Sequence, residues 1–171
     1  MKMKPILRKL LFMVSCLPAL IGHAQTTDTC PSANGLKGKR IAVIGDSYVK
    51  NHKEPVENTW HYAFARKHGM EYLNYGRNGN SIAYSSPRWG EAMYIRYKEM
   101  ADSLDYIVVI GGHNDAFKLD SIGGIDNFKE KLAILCEGLV EKYPTAKIFF
   151  FTRWTCKDFK GSDSEKVVDA M

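Results

Sequence analysis

Four short apolar, β-prone runs separated by helical periodicities predict an α/β domain, with a parallel sheet covered by helices on both faces. Two observations carry that expectation. Strand and helix alternate four times along the chain, and the strands read as near-continuous apolar runs rather than alternating ones. A third bounds it: 171 residues at 45% hydrophobic and 25% charged suit one globular domain with a normal core. No period of roughly 20–50 residues, the mark of a repeat array, is present.

The N-terminus comes first. A charged stretch, Met1 to Lys9, precedes an apolar run from Leu10 to Ile21 and then Gly22-His23-Ala24. This plan predicts a signal peptide over residues 1–24, cut before Gln25. A membrane span needs about 20 apolar residues, and the run is shorter, with Pro18 inside it. The expectation is therefore export, to the periplasm or the outside, without a stable membrane anchor. The net charge of +5 belongs to this end as well, because Lys2, Lys4, Arg8 and Lys9 fall in it and no acid does. Removing those four from 24 basic residues leaves 20 against 19 acidic ones. A balance so near neutral argues against nucleic acid as a partner. Cys16 leaves with the leader, so Cys30, Cys136 and Cys156 remain in an oxidising compartment, an odd number with pairing left open. Without CxxC spacing or a clustered His set, no metal is expected.

Residues 25–38 are a polar, turn-rich lead-in. Arg40 to Ile44 (RIAVI) is the first strand, stopping at Gly45. Trp60, Ala63 and Phe64 repeat at helical spacing, with Gly69 as the stop. Glu71 to Asn74 is the second strand. Ser86-Pro87 is expected to open a helix with Trp89, Met93, Tyr97 and Met100 along one face. Tyr106 to Ile110 (YIVVI) is the third strand. A long helix then buries Ile125, Phe128, Leu132, Leu135 and Leu139 and ends at Tyr143-Pro144. Lys147 to Thr152 is the fourth strand, and Glu165 to Ala170 has the pattern of a last helix.

Ligands of such sheets sit beyond the carboxyl ends of the strands. After the first strand comes Gly45-Asp46-Ser47-Tyr48. A serine presented there suits a nucleophile, provided a base activates it; alternatively it is a turn or a helix cap. After the second strand, the loop Asn74 to Ser81 holds Gly76 and Gly79, which can aim a backbone N–H into a site. After the third comes Gly111-Gly112-His113-Asn114-Asp115. An Asn amide there can donate to a developing oxyanion, or the Asn and Asp can simply satisfy the turn.

Taken together, the three loops resemble the motifs of the SGNH hydrolases, also called GDSL-type esterases and lipases. Gly45-Asp46-Ser47 matches the first block, Gly79 in its Asn-x-Gly-x-x-Gly context the second, and Gly112-His113-Asn114-Asp115 the third. The resemblance covers about residues 39–155, within a domain expected over 39–171. It implies a three-layer α/β/α sandwich with a mostly parallel, doubly wound sheet of the flavodoxin-like type. It also implies ester hydrolysis through an acyl-serine intermediate, with no cofactor. Ser47 would be the nucleophile, and the oxyanion would be held by the Ser47 and Gly79 backbone N–H groups and the Asn114 side chain. Gly45, Asp46, Gly112 and Asp115 would support them. Tyr48 stands where the family's name has leucine.

The family's fourth block, the Asp-x-x-His that supplies the base and its orienting acid, is absent. The expectation is a chain ended before the last strand and closing helix, with little turnover of its own. His113 and His52 are the nearest substitutes in sequence. Such an end would also leave one sheet edge uncovered, an aggregation hazard. A small-molecule or glycan ester is the expected substrate class. Tyr84, Trp89 and Tyr94 are weak candidates for sugar platforms, and core packing accounts for Trp89 equally well. A non-catalytic glycan- or acyl-binding relative is the alternative. A nucleotide binder is disfavoured, since neither GxGxxG nor GxxxxGK[ST] follows a strand.

Overall fold

The computed structural model describes residues 35–152 and 163–171. The leader, residues 25–34 of the lead-in, Cys30 and Cys156 lie outside these residues.

Strand β1 (Arg40–Gly45) runs parallel to β2 (Glu71–Gly76) on one side and to β3 (Tyr106–Ile110) on the other. Beyond β3 lies β4 (Lys147–Phe151), giving the order β2-β1-β3-β4. Every pairing is parallel, so all four carboxyl ends open on the same side. Between the strands come α1 (Ser47–Lys50), α2 (Trp60–Lys67), α3 (Met93–Arg96), α4 (Leu119–Ile122), α5 (Ile125–Lys142) and, after β4, α6 (Ser164–Ala170). This is the predicted layered α/β architecture.

The alternation of strand residues divides the core. Ala42, Ile44, Ile107 and Val109 face Met93, Tyr97, Phe128, Leu132, Leu135, Leu139 and Val167, brought by α3 and the turn that follows it, α5 and α6. Ile41, Val43, Val108 and Ile110 face the other way, onto Val49 of α1 and Ala65 of α2. Helices therefore lie on both faces, and the central strands are apolar throughout because neither side meets water. The edge strand differs. In β4, Ile148 and Phe150 pack on the larger cluster, whereas Phe149 and Phe151 are 48% and 46% exposed.

Two helices depart from expectation. The helix expected from Ser86 is confined to Met93–Arg96 and a single 3-10 turn over Tyr97–Glu99. Gly90 has φ +76°, and Ala92 is extended at ψ 159°, so the chain cannot be helical before Met93. Met93, Tyr97 and Met100 are buried as expected, but Trp89 sits in a turn closed by the Ser86–Gly90 bridge. In α2, Trp60 and Phe64 face outward at 56% and 40% exposure while His61 and Ala65 are buried. The His61 Nδ1, 2.8 Å from the Tyr72 hydroxyl, satisfies one polar atom on that inner side.

Candidate active site

The first loop is shaped by crowding. A Cβ on Gly45 would run into the Val49 side chain and the Ile110 carbonyl, so only glycine lets β1 end this close to its neighbours. Asp46 follows with no exposed surface, and its carboxylate accepts the Tyr48 N–H at 2.9 Å, capping α1. Ser47 is the first residue of that helix and is half-buried.

The second loop turns at Gly79, where φ is +68°, in the left-handed region. The Trp89 indole lies directly against its Cα, with no space for a Cβ. Asn80, 1% exposed, is locked by its own amide. Nδ2 donates to the Glu91 carbonyl at 2.7 Å, and Oδ1 accepts from Arg96 Nε at 2.8 Å.

The third loop brings the first two together. Asn114 Nδ2 donates to the Asn80 carbonyl at 2.8 Å and lies 3.5 Å from Asp46 Oδ2. The amide therefore stands one residue from Ser47 on one side and one residue from Gly79 on the other. At 3.5 Å its contact with Asp46 is weak, so the N–H on that side is only loosely held. Fully buried, Asp115 accepts the Ile82 and Ala83 N–H groups at 2.9 and 2.8 Å, besides backbone groups of its own turn at Gly112 and Asp115. Behind the loop, Gly112 at φ +88° faces Val167 and Met171 at the end of α6.

Electrostatically the site holds two buried acids. Burial pushes the Asp46 carboxyl up to about 6, against the Tyr48 N–H, and the nearby Asp115 charge adds to the rise. Burial likewise takes Asp115 to about 6 despite its backbone donors. Arg96, at 2% exposure, donates through Nη2 to the Gly45 carbonyl at 2.9 Å.

The remaining candidates spread around this centre. His113 packs edge-on between Tyr48 and Phe117, with ring centroids 5.5 Å away on each side. His52 is exposed beyond α1 at φ +47°. Arg88 covers the Trp89 ring at 4.5 Å. Tyr84 and Tyr94 pack against the larger core cluster, each under a lysine ammonium, that of Lys118 or Lys131.

No family model and no curated protein matches the sequence. Solved structures do match. A protein from Lactobacillus plantarum is 25% identical, with a TM-score of 0.61 over 78% of this chain and 70% of that one. The esterase AlinE4, of the SGNH-hydrolase family, is 17% identical, with a TM-score of 0.58 over 78% and 68%. The fold is that of the SGNH hydrolases. A carbohydrate esterase family 2 enzyme from Corynascus thermopiles (Myceliophthora fergusii), which carries a carbohydrate-binding domain, shares this SGNH fold. It is 19% identical, with a TM-score of 0.58 over 77% of this chain and 50% of its own.

Two residues that hold these loops together, Asn80 and Arg96, escape motif reasoning. Asn80 is hidden in a glycine- and asparagine-rich loop whose members look interchangeable. Arg96 carries one faint signal, a charge three residues from Met93 and next to Tyr97 on a helical apolar stripe.

Proposed function

We propose that this chain carries the nucleophile and oxyanion-binding half of an exported serine esterase. The observation that supports this most directly is the Asn114 amide held between Asp46 and Asn80, which links the three sequence motifs into one site. Ser47 Oγ attacks the acyl carbonyl carbon. The C–O bond forms, the carbonyl π pair moves onto oxygen, and the hydroxyl proton passes to a base. The Ser47 and Gly79 backbone N–H groups and Asn114 Nδ2 receive the oxyanion. Collapse expels the alcohol, which takes up the proton, and water releases the acyl group by the same steps in reverse order. None of this requires a cofactor. The sequence contains no Asp-x-x-His to supply the base, so the 171-residue chain turns over slowly unless a base is added. Removing that base from a serine hydrolase can cost about 10⁶ in kcat.

The substrate is an acyl or acetyl ester, with a carbohydrate as the alcohol partner. The half-exposed Trp89 beside Gly79 is an aromatic platform at the right place for a sugar ring, and the carbohydrate esterase of like fold supports the same class. Export rests on the leader pattern of residues 1–24.

A fluorophosphonate probe tests the reading in buffered imidazole, which stands in for the base. Ser47 Oγ displaces fluoride from phosphorus while its proton passes to imidazole. Mass spectrometry is expected to find the phosphonyl group on Ser47 and none after Ser47→Ala. Undiminished labelling after that substitution, or none in the parent chain, favours a non-catalytic ligand-binding relative instead.

A further inference from the structure

Arg96 closes α3 deep inside the protein, and among the described residues no carboxylate lies within salt-bridge distance of it. Its hydrogen-bond partners are neutral, the Asn80 Oδ1 and the Gly45 carbonyl at 2.8 and 2.9 Å, while Glu99, paired with Arg77, acts on it only from beyond salt-bridge distance. A buried cation without a close counter-ion is costly, and a methionine or leucine would fill the space next to Met93 and Tyr97 without that cost. What the guanidinium does that an apolar side chain cannot is take two fixed acceptors in one plane.

Those acceptors are not arbitrary. The Gly45 carbonyl belongs to the peptide entering Asp46, and it also accepts the Arg77 N–H at 3.0 Å, which anchors the start of the second loop. The other acceptor fixes the orientation of the Asn80 amide, whose Nδ2 then points at the Glu91 and Trp89 carbonyls. The backbone carbonyl of that same Asn80 accepts from Asn114 Nδ2. One arm of Arg96 thus ends on the nucleophile's loop. The other ends on the residue that follows Gly79 and holds Asn114.

We infer that Arg96 is a positioning residue for the oxyanion hole, fixing the Ser47, Gly79 and Asn114 donors relative to one another through Gly45 and Asn80. This rests on the ester-hydrolase reading above. Because Arg96 acts on donors engaged when the oxyanion forms, its loss lowers the rate of the chemical step and leaves ground-state binding alone.

The test uses Ser47 phosphonylation in imidazole, separating the maximal rate from the half-saturating probe concentration. It also follows the Asn114 side-chain amide signal by ¹H–¹⁵N NMR, assigned by its loss in Asn114→Asp. Removing one oxyanion donor outright costs about 10²–10³. Arg96→Met is therefore expected to slow the maximal rate by about ten- to hundredfold, with half-saturation within about twofold. The Asn114 signal is expected to move toward that of a free amide. Arg96→Lys keeps the charge but not the planar fork, and is expected to fall between.

A folded Arg96→Met protein labelled at the parent rate overturns the inference. So does a slowed one with an unmoved Asn114 signal. If Arg96→Met does not fold, Arg96→Lys and Asn80→Ser carry the test, and either one labelled at the parent rate overturns it. Absence of Ser47 labelling in the parent chain sinks the esterase reading and this inference together. A labelled parent with an undiminished Arg96→Met sinks only the latter.

Discussion

The Trp89 indole lies against the Cα of Gly79 and fills the space where a Cβ would be. Gly79 is therefore doubly required, by its φ of +68° and by its neighbour. Gly79→Ala is expected to cut Ser47 phosphonylation by at least about tenfold, on the scale of a displaced oxyanion donor. Adding Trp89→Ala removes the clash but not the backbone strain, so the double variant should recover only part of the rate. Full recovery would show that crowding alone sets the requirement.

Asn114 makes a narrower prediction. Its side chain is half-buried and its one close bond is to a backbone carbonyl. Asn114→Ala should cost about 1 kcal/mol of stability, as for one ordinary hydrogen bond, yet slow phosphonylation by about 10²–10³. Urea denaturation and labelling kinetics on the same preparation separate the two. Equal losses in both would reduce Asn114 to a structural role.

The acids give a pH signature. With Asp46 and Asp115 raised from 3.8 to about 6, the native state holds more protons than the unfolded chain between these values. Their contribution to stability is thus present below about pH 4 and lost as the pH climbs to about 6. Asp46→Asn keeps an oxygen for the Tyr48 N–H and removes one titration. Its stability relative to the parent should improve steadily from pH 4 to 6, by about 3 kcal/mol in all by pH 7 relative to low pH. Urea midpoints at four pH values measure it, and a pH-independent difference would contradict the assignment.

At the sheet edge, β4 turns Phe149 and Phe151 outward. Phe149→Lys places a charge on an exposed apolar edge, a common guard against strand-to-strand association. Sedimentation velocity at rising concentration should show less self-association than in the parent. The unfolding free energy should change by under about 1 kcal/mol, since the side chain is already half in water. Unaltered sedimentation would place the sticky surface elsewhere.

The sequence revealed its helices and strands unevenly, for physical reasons. β1, β3 and α5 were legible because each buries a long, uniform apolar set, and so were the three loops, because a short motif sits at each strand end. The stretch before Met93 misled, because Trp89, Met93, Tyr97 and Met100 keep helical spacing while Gly90 takes a conformation no helix allows. In α2 the stripe is offset by one residue, since His61 can be buried when Tyr72 meets its ring nitrogen, leaving Trp60 outside. Arg96 and Asn80 were opaque for a different reason. Their partners lie 16 to 51 residues away, or are backbone carbonyls, which have no residue type to recognise.

The excursion between Ile82 and Met93 is stitched shut at its base. Met93 and Tyr94 donate to the Ser81 and Ile82 carbonyls, and Asp115 grips Ile82 and Ala83 from below. Within it, what Asn80 takes are the Trp89 and Glu91 carbonyls, atoms every amino acid carries. The segment is thus built like an interchangeable cartridge. Exposed positions such as Pro87 and Arg88 can vary while the stem and the loops beneath keep their geometry. On the esterase reading proposed above, a lineage or an engineer could change what is recognised here without reopening how it reacts.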